Sequence, residues 1–219
     1  MFIWTNESIR WYERAANHSN FYHKLAAQIS PYLNKDDSLC DLGCGLGYLS
    51  IALSPYVNRI TSIDIDSRPL KVLSQNIKSM KIKNINPCHQ NAMELSNNPA
   101  NKWDTLVLCY FGQILNPSDF DYFYSLCHKQ IIIIANKNWQ EILELPPHLI
   151  IKRESLSLNF NQPFNNPEEA RMYFAHYLRG KTHGTVEDRM KELVEDGAGN
   201  LFLPKEKQMD IIVIKKGDY

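Results

Sequence analysis

Between Ser38 and Asn136 the chain alternates short strand-like runs with helix-like ones, and its two strongest strand candidates, DTLVLCYF and QIIIIAN, are almost wholly apolar. That pattern constrains the fold more than any other feature. Strands that alternate with helices build parallel crossover units, and strands apolar along their whole length belong to a sheet covered on both faces. A doubly wound α/β domain follows.

The strand candidates are SLCDL at 38–42, RITSID at 59–64, the weaker INPCHQ at 85–90, then DTLVLCYF and QIIIIAN. Between them, helices are expected over Tyr48 to Tyr56, Pro69 to Met80 and Asp119 to Cys127. The helix over 69–80 puts Leu70, Leu73, Ile77 and Met80 on one face. Upstream, Tyr22, Leu25, Ala26, Ile29 and Leu33 recur at helical spacing, so most of the first 33 residues should be helical.

Beyond Asn136 the rhythm changes. LIIKRESLSLNF reads as extended chain, and two helices follow it. The first opens at Asn166 as cap, Pro167 at the first helical position, and Glu168 and Glu169 at the positive dipole end. The second, TVEDRMKELVEDG, takes Thr185 as cap, places Val186, Met190, Leu193 and Val194 on one face, and stops at Gly197. MDIIVIKK closes the chain as a strand. One domain spans 1–219, with an N-terminal helical cap (1–34), a core (35–160), a helical insertion (161–198) and a final strand region (199–219). The length suits a single domain with a full core.

The first turn of this alternation, DLGCGLG at 41–47, locates the functional site. Ligands of doubly wound sheets lie beyond the carboxyl ends of the strands, and Gly43, Gly45 and Gly47 leave the backbone free to approach one. A dinucleotide turn has the spacing GxGxxG and rests a pyrophosphate on the following helix. Here the spacing is GxGxG, with Asp41 two residues ahead of the first glycine. A carboxylate there repels a pyrophosphate and attracts an amino-acid ammonium group, so a cationic ligand is favoured.

DLGCGLG resembles motif I of the class I, Rossmann-like S-adenosylmethionine-dependent methyltransferases, an acidic residue followed by xGxGxG. The resemblance extends over roughly 35–136. It implies a mostly parallel seven-stranded sheet with an antiparallel last strand, S-adenosyl-L-methionine as cofactor, and the activity of a methyltransferase. It also implies roles for particular residues. Asp41, Gly43, Cys44, Gly45, Gly47 and Tyr48 surround the amino-acid portion. Asp64, 21 residues past Gly43, accepts from the ribose hydroxyls, a station that dinucleotide folds share. Ile65 lines the adenine slot, while Asp66 has the alternative of capping the next helix. Asn91 and Ala92 stand where the family commonly has an acidic and a small residue, and an Asn oxygen can still accept from the adenine amino group; its other role is a helix cap. Cys109, Tyr110 and Phe111 end the fourth strand, where carbonyls hold the methionine portion, and Tyr22 approaches the cofactor from the N-terminal helices.

The acceptor has to be inferred from what surrounds the donor. Methyl transfer is an in-line displacement, in which alignment and dryness matter more than a base. CYFGQ lacks the Asn/Asp-Pro-Pro-aromatic tetrad of base-amine methyltransferases, and Cys109 lacks the Pro-Cys setting of a pyrimidine nucleophile, which leaves it a structural or cofactor-contacting cysteine. His23, His176 and His183 are of the residue type that most often serves as a general base, and His23, His176 and Tyr110 are the catalytic candidates.

Aromatic residues gather at both ends, Trp4, Trp11, Tyr12, Phe21 and Tyr22, then Phe164, Tyr173, Phe174 and Tyr177. They suit a cap over a small or medium organic acceptor, methylated at O or N. Nucleic acid is a weaker alternative. The 24 basic and 24 acidic side chains cancel, and the local clusters Lys78, Lys81, Lys83 and Arg179, Lys181 are modest. A protein acceptor and a non-catalytic cofactor-binding protein also stay open. The five cysteines form no CxxC pair, so neither a disulfide framework nor a metal site is expected. No apolar run approaches the about 20 residues of a membrane helix, and a soluble cytoplasmic protein is expected.

Overall fold

The computed structural model describes residues 4–97, 102–111, 117–137, 147–179 and 184–217. They form two compact units. The first comprises residues 1–5, 22–157 and 208–219, and the second residues 6–21 and 158–207.

The first unit is built on a seven-stranded sheet. Its strands are β1 (Ser38–Leu42), β2 (Arg59–Asp64), β3 (Ile85–His89), β4 (Trp103–Cys109), β5 (Cys127–Asn136), β6 (Ile150–Asn159) and β10 (Glu206–Lys215). Their order across the sheet is β3-β2-β1-β4-β5-β10-β6. β1, β2, β3, β4 and β5 pair in parallel, and β10 runs antiparallel to β5, joining Ile211 to Ile134 and Val213 to Ile132. Reversal of order between β2-β1 and β4-β5 makes the end of β1 the switch point of the sheet, where such folds bind ligands.

Central strands that are buried on both faces are mostly apolar, as the Ile131–Ile134 run of β5 is; β1 is buried along its whole length although it carries Ser38 and Asp41. Helices α2 (Phe21–Ile29), α3 (Tyr48–Leu53), α4 (Ser67–Ser79) and α5 (Pro117–Ser125) accompany this sheet. Asp66 caps α4 by accepting from the Arg68 amide, the alternative that the sequence offered. The expected helix over 48–56 ends at Leu53 and continues as one 3₁₀ turn, with Pro55 at its start.

The second unit gathers α1 (Asn6–Ser19) with α6 (Pro167–Leu178), α7 (Val186–Met190) and a three-stranded sheet in the order β7-β9-β8, made of β7 (Gln162–Phe164), β8 (Val194–Glu195) and β9 (Leu201–Leu203). Its core packs Trp11, Phe164, Ala170, Tyr173, Phe174 and Leu203. Both expected caps form: Asn166 accepts from the Glu169 amide, and Thr185 makes a reciprocal box with Asp188.

The sequence reading of a purely helical insertion needs correction. The helix begun at Thr185 stops at Met190, because Val194 and Glu195 pair with Phe202 and Leu201 of β9. The turn that joins them is fixed by the Asp196 carboxylate, which accepts from the Ala198 and Asn200 amides, with Gly199 at φ +80°. Strand pairing captures residues whose apolar spacing also fits a helix. The N-terminal helix is likewise broken, at Asn20, whose φ of +51° separates α1 from α2.

Candidate functional site

The turn after β1 takes its shape from three left-handed glycines, Gly43 (φ +67°), Gly45 (φ +53°) and Gly47 (φ +71°). Each has a separate physical need for the missing side chain. A Cβ on Gly47 would stand 2.4 Å from Leu73 Cδ1, so this glycine lets α4 pack against the start of α3. A Cβ on Gly43 would stand 2.6 Å from the Phe111 ring, and one on Gly45 3.1 Å from Trp4. Aromatic rings therefore lie along the bare backbone at the two positions expected to face a ligand.

The turn is tied to the end of β2. The Cys44 amide donates to the Ile63 carbonyl at 3.0 Å, and the Gly45 amide to Asp64 Oδ2 at 2.8 Å. Asp64 Oδ1 accepts the Asp66 amide at 2.8 Å. A carboxylate has about four acceptor positions, and these two bonds use one on each oxygen. Asp64 thus sits at the edge of the glycine turn with acceptor capacity left for a diol, which is the fit an adenosyl ribose requires.

Asp41 lies deeper. It is 1% exposed, and its Oδ2 accepts from the Ser50 hydroxyl at 2.5 Å, while the Ser62 hydroxyl donates to Ser50 at 2.8 Å. Burial pushes its carboxyl up to about 7; the Ser50 hydrogen bond opposes this and the nearby charge of Asp64 adds to it. Cys44, in the turn itself, has its thiol held well above the usual range by burial and the two carboxylates, so it carries no thiolate. Cys40 and Cys127 are buried, and all five cysteines are free thiols.

Tyr22 from α2 stacks on Tyr48, the first residue of α3, with centroids 5.8 Å apart and planes 19° from parallel. The N-terminal helix expected near the cofactor is thereby brought to the glycine turn. Ile65, directly after β2, is 50% exposed. Asn91 accepts the Met93 amide at 3.1 Å and donates to Glu94 at 2.8 Å, so its cap is formed; Ala92 beside it is buried.

At the end of β4, Tyr110 holds a left-handed backbone at φ +49°, a strained conformation for a ring-bearing residue. Its amide donates to the Ile134 carbonyl, and its hydroxyl lies 3.8 Å from Met209 Sδ. Cys109, half-buried, precedes it. Positions 112–113 of CYFGQ lie outside the described residues.

His23 is exposed on α2. His176 belongs to the second unit, where its ring meets Trp11 at 5.4 Å and Tyr177 at 5.0 Å. His183 lies outside the described residues. What sequence reasoning missed is the pairing of Trp4 with Gly45 and Phe111 with Gly43. The only hint was an aromatic residue at each end of a long separation, which periodicity does not connect.

Among the described residues, no group of three His, Cys, Asp or Glu could hold a metal ion, and no helix is long and apolar enough to cross a membrane.

Residues 39–131 match a family model described as a methyltransferase domain. Similar solved structures include precorrin-6y C5,15-methyltransferase from Geobacter metallireducens, at 16% identity over 89% of this chain and 87% of that one, with a TM-score of 0.54. Precorrin 8w decarboxylase from Methanobacterium thermoautotrophicum is 16% identical over 87% and 89%, at 0.53. A Pyrococcus horikoshii protein described as a candidate RNA methyltransferase is 10% identical over 91% and 85%, also at 0.53. At these identities the likeness is one of fold. The segment 39–131, which carries the switch-point glycine turn, is thus similar to a methyltransferase domain, and the fold is one that solved methyltransferases share.

Proposed function

We propose that this chain binds S-adenosyl-L-methionine at the Gly43–Gly47 turn and transfers its methyl group to an oxygen or nitrogen of a small or medium organic molecule. The observation that carries the donor assignment is Asp64, fixed beside a side-chain-free turn by the Gly45 and Asp66 amides, with acceptor sites left over for two hydroxyls. In this reading the bare backbone of Gly43 and Gly45 receives the amino-acid portion, Tyr22 and Tyr48 wall it, and Ile65, Asn91 and Ala92 border the adenine. The cofactor supplies an electrophilic methyl on a sulfonium. The protein's share is to bind, orient and exclude water.

Tyr110 is the first candidate to contact the acceptor, because its backbone strain at the end of β4 persists only where the surroundings impose it. Its neighbour Cys109 offers its carbonyl to the methionine portion. His23 and His176 are the candidate bases for a hydroxyl acceptor.

Calorimetric titration with S-adenosylmethionine, its demethylated product and NAD tests the donor. Micromolar binding of the first two supports the reading, and preference for NAD rejects it. For the acceptor, turnover across a panel of phenols, amines and carboxylates is compared with RNA retention at low salt. Steeply salt-dependent RNA binding would replace the small-molecule reading by a nucleic-acid one. Replacement of Tyr110 by Phe, and of His23 and His176 by Ala, follows on whichever acceptor is turned over; a candidate whose loss leaves kcat unchanged has no catalytic part.

A further inference from the structure

β2 and β3 end side by side, with Asp64, the last residue of one, in register with His89, the last of the other. Just beyond, the Gln90 amide donates to the Asp64 carbonyl at 3.1 Å. The next carbonyl along, that of Ile65, takes its bond from a side chain: His89 Nε2 donates to it at 2.9 Å. A carbonyl only accepts, so Nε2 is the ring nitrogen that carries the hydrogen.

The other end of the same peptide group is held as well. The Asp66 amide, which shares its plane with the Ile65 carbonyl, donates to Asp64 Oδ1 at 2.8 Å. A trans peptide is planar, so bonds at its N–H and its C=O together fix its rotation about the chain. The backbone angles on either side of it, ψ of Ile65 and φ of Asp66, are thereby set. Asp64 is fixed in the same arrangement, since its Oδ2 accepts the Gly45 amide at 2.8 Å.

His89 and Ile65 are both exposed. Water can satisfy a carbonyl at such a place, so the imidazole is not required to pair it. What the ring adds is position. A half-open residue next to a ligand contributes most when its direction is set before the ligand arrives, because no ordering is then left to oppose binding.

We propose that His89 is a positioning residue for the adenosyl end of the methyl donor: by holding the Ile65–Asp66 peptide, it sets the direction of the Ile65 side chain and of the Asp64 carboxylate. The role rests on the donor-site reading, in which Ile65 borders the adenine and Asp64 takes the ribose.

The test titrates the full chain by calorimetry with S-adenosylhomocysteine and with 5′-methylthioadenosine, which keeps the adenosyl group and lacks the amino acid. His89→Ala should weaken both compounds by the same factor, about threefold to tenfold, as loss of one hydrogen bond does. His89→Gln, whose amide N–H can meet the same carbonyl, should recover the affinity to within about twofold. In the free protein, amide exchange at Asp66 should quicken in the Ala variant and return in the Gln variant. His89→Leu replaces the Ala variant if that one does not melt cooperatively. Unchanged affinity without the imidazole, a loss confined to S-adenosylhomocysteine, or a loss that Gln does not repair overturns the role while leaving the donor site standing. Wild type that binds neither compound rejects the donor-site reading itself, and this role with it.

Discussion

The Gly45 amide donates to Asp64 Oδ2 across 2.8 Å, so the carboxylate assigned to the ribose also holds the turn assigned to the amino acid. Removing it acts twice. Asp64→Ala should weaken S-adenosylmethionine binding by about 10- to 100-fold for each charge-assisted bond lost, at ~1.5–3 kcal/mol apiece. It should also raise the exchange rate of the Gly45 amide in the free protein. Asp64→Asn keeps one acceptor oxygen and should fall between the two. Calorimetry and amide exchange together check both effects; unchanged affinity in the Ala variant would place the donor elsewhere.

The third glycine makes a different prediction. Gly47→Ala brings a Cβ to 2.4 Å from Leu73 Cδ1, a side chain with no exposed surface, and it does so at φ +71°. Left-handed backbone costs an alanine about 1–2 kcal/mol, and overpacking adds about 1–3. A loss of roughly 2–5 kcal/mol is expected in denaturant melts. Adding Leu73→Ala should not repair it fully, because only the steric part is removed and a buried leucine is lost.

Much of this architecture was written locally. β5 could be read from QIIIIAN because a strand covered on both faces has no polar side, and α4 could be read from Leu70 and Leu73 because one face packs on the sheet. The glycine turn was legible because GxGxG admits few backbones. What stayed hidden depends on distant partners. Val194 and Glu195 are strand rather than helix only because β9 offers them Phe202 and Leu201 as pairing partners. The strain at Tyr110, the burial of Asp41 beneath the turn and the rings laid on Gly43 and Gly45 arise from packing between segments that no short-range pattern links.

Asp41 should leave a mark on the pH dependence of stability. Its carboxyl titrates near 3.8 when exposed and is pushed up to about 7 by burial in the fold. Between these values the folded chain holds a proton that the unfolded chain has released, so ν_U − ν_N is negative and stability falls as pH rises. The contribution is fully present below about pH 4 and is gone above about pH 7. Asp41→Asn keeps a group able to meet Ser50 without ionising, and should flatten that part of the curve in urea melts taken from pH 4 to 8. A slope unchanged by the substitution would mean that another group carries it.

Glu169 predicts the opposite sign in the second unit. Its side chain is only 10% exposed and accepts both a 2.6 Å and a 2.7 Å bond from Arg14 Nη1, with a further 2.8 Å bond from the Asn165 amide. Burial alone would raise this carboxyl, but the Asn165 amide and the Arg14 charge outweigh it and hold it below the usual carboxylate range. A lowered acid contributes stability that is present above its unfolded value and lost as pH falls through its folded one. Arg14→Leu leaves the buried carboxylate with the backbone bond and the more distant Arg10. At neutral pH it should cost about 1–3 kcal/mol, less than a fully buried pair because Arg14 is 28% exposed. Acidification should narrow that gap, since a protonated Glu169 has little further use for the guanidinium. Paired melts of wild type and Arg14→Leu at pH 7 and pH 3 measure it, and a gap that widens at low pH would show that Arg14 acts through packing rather than charge.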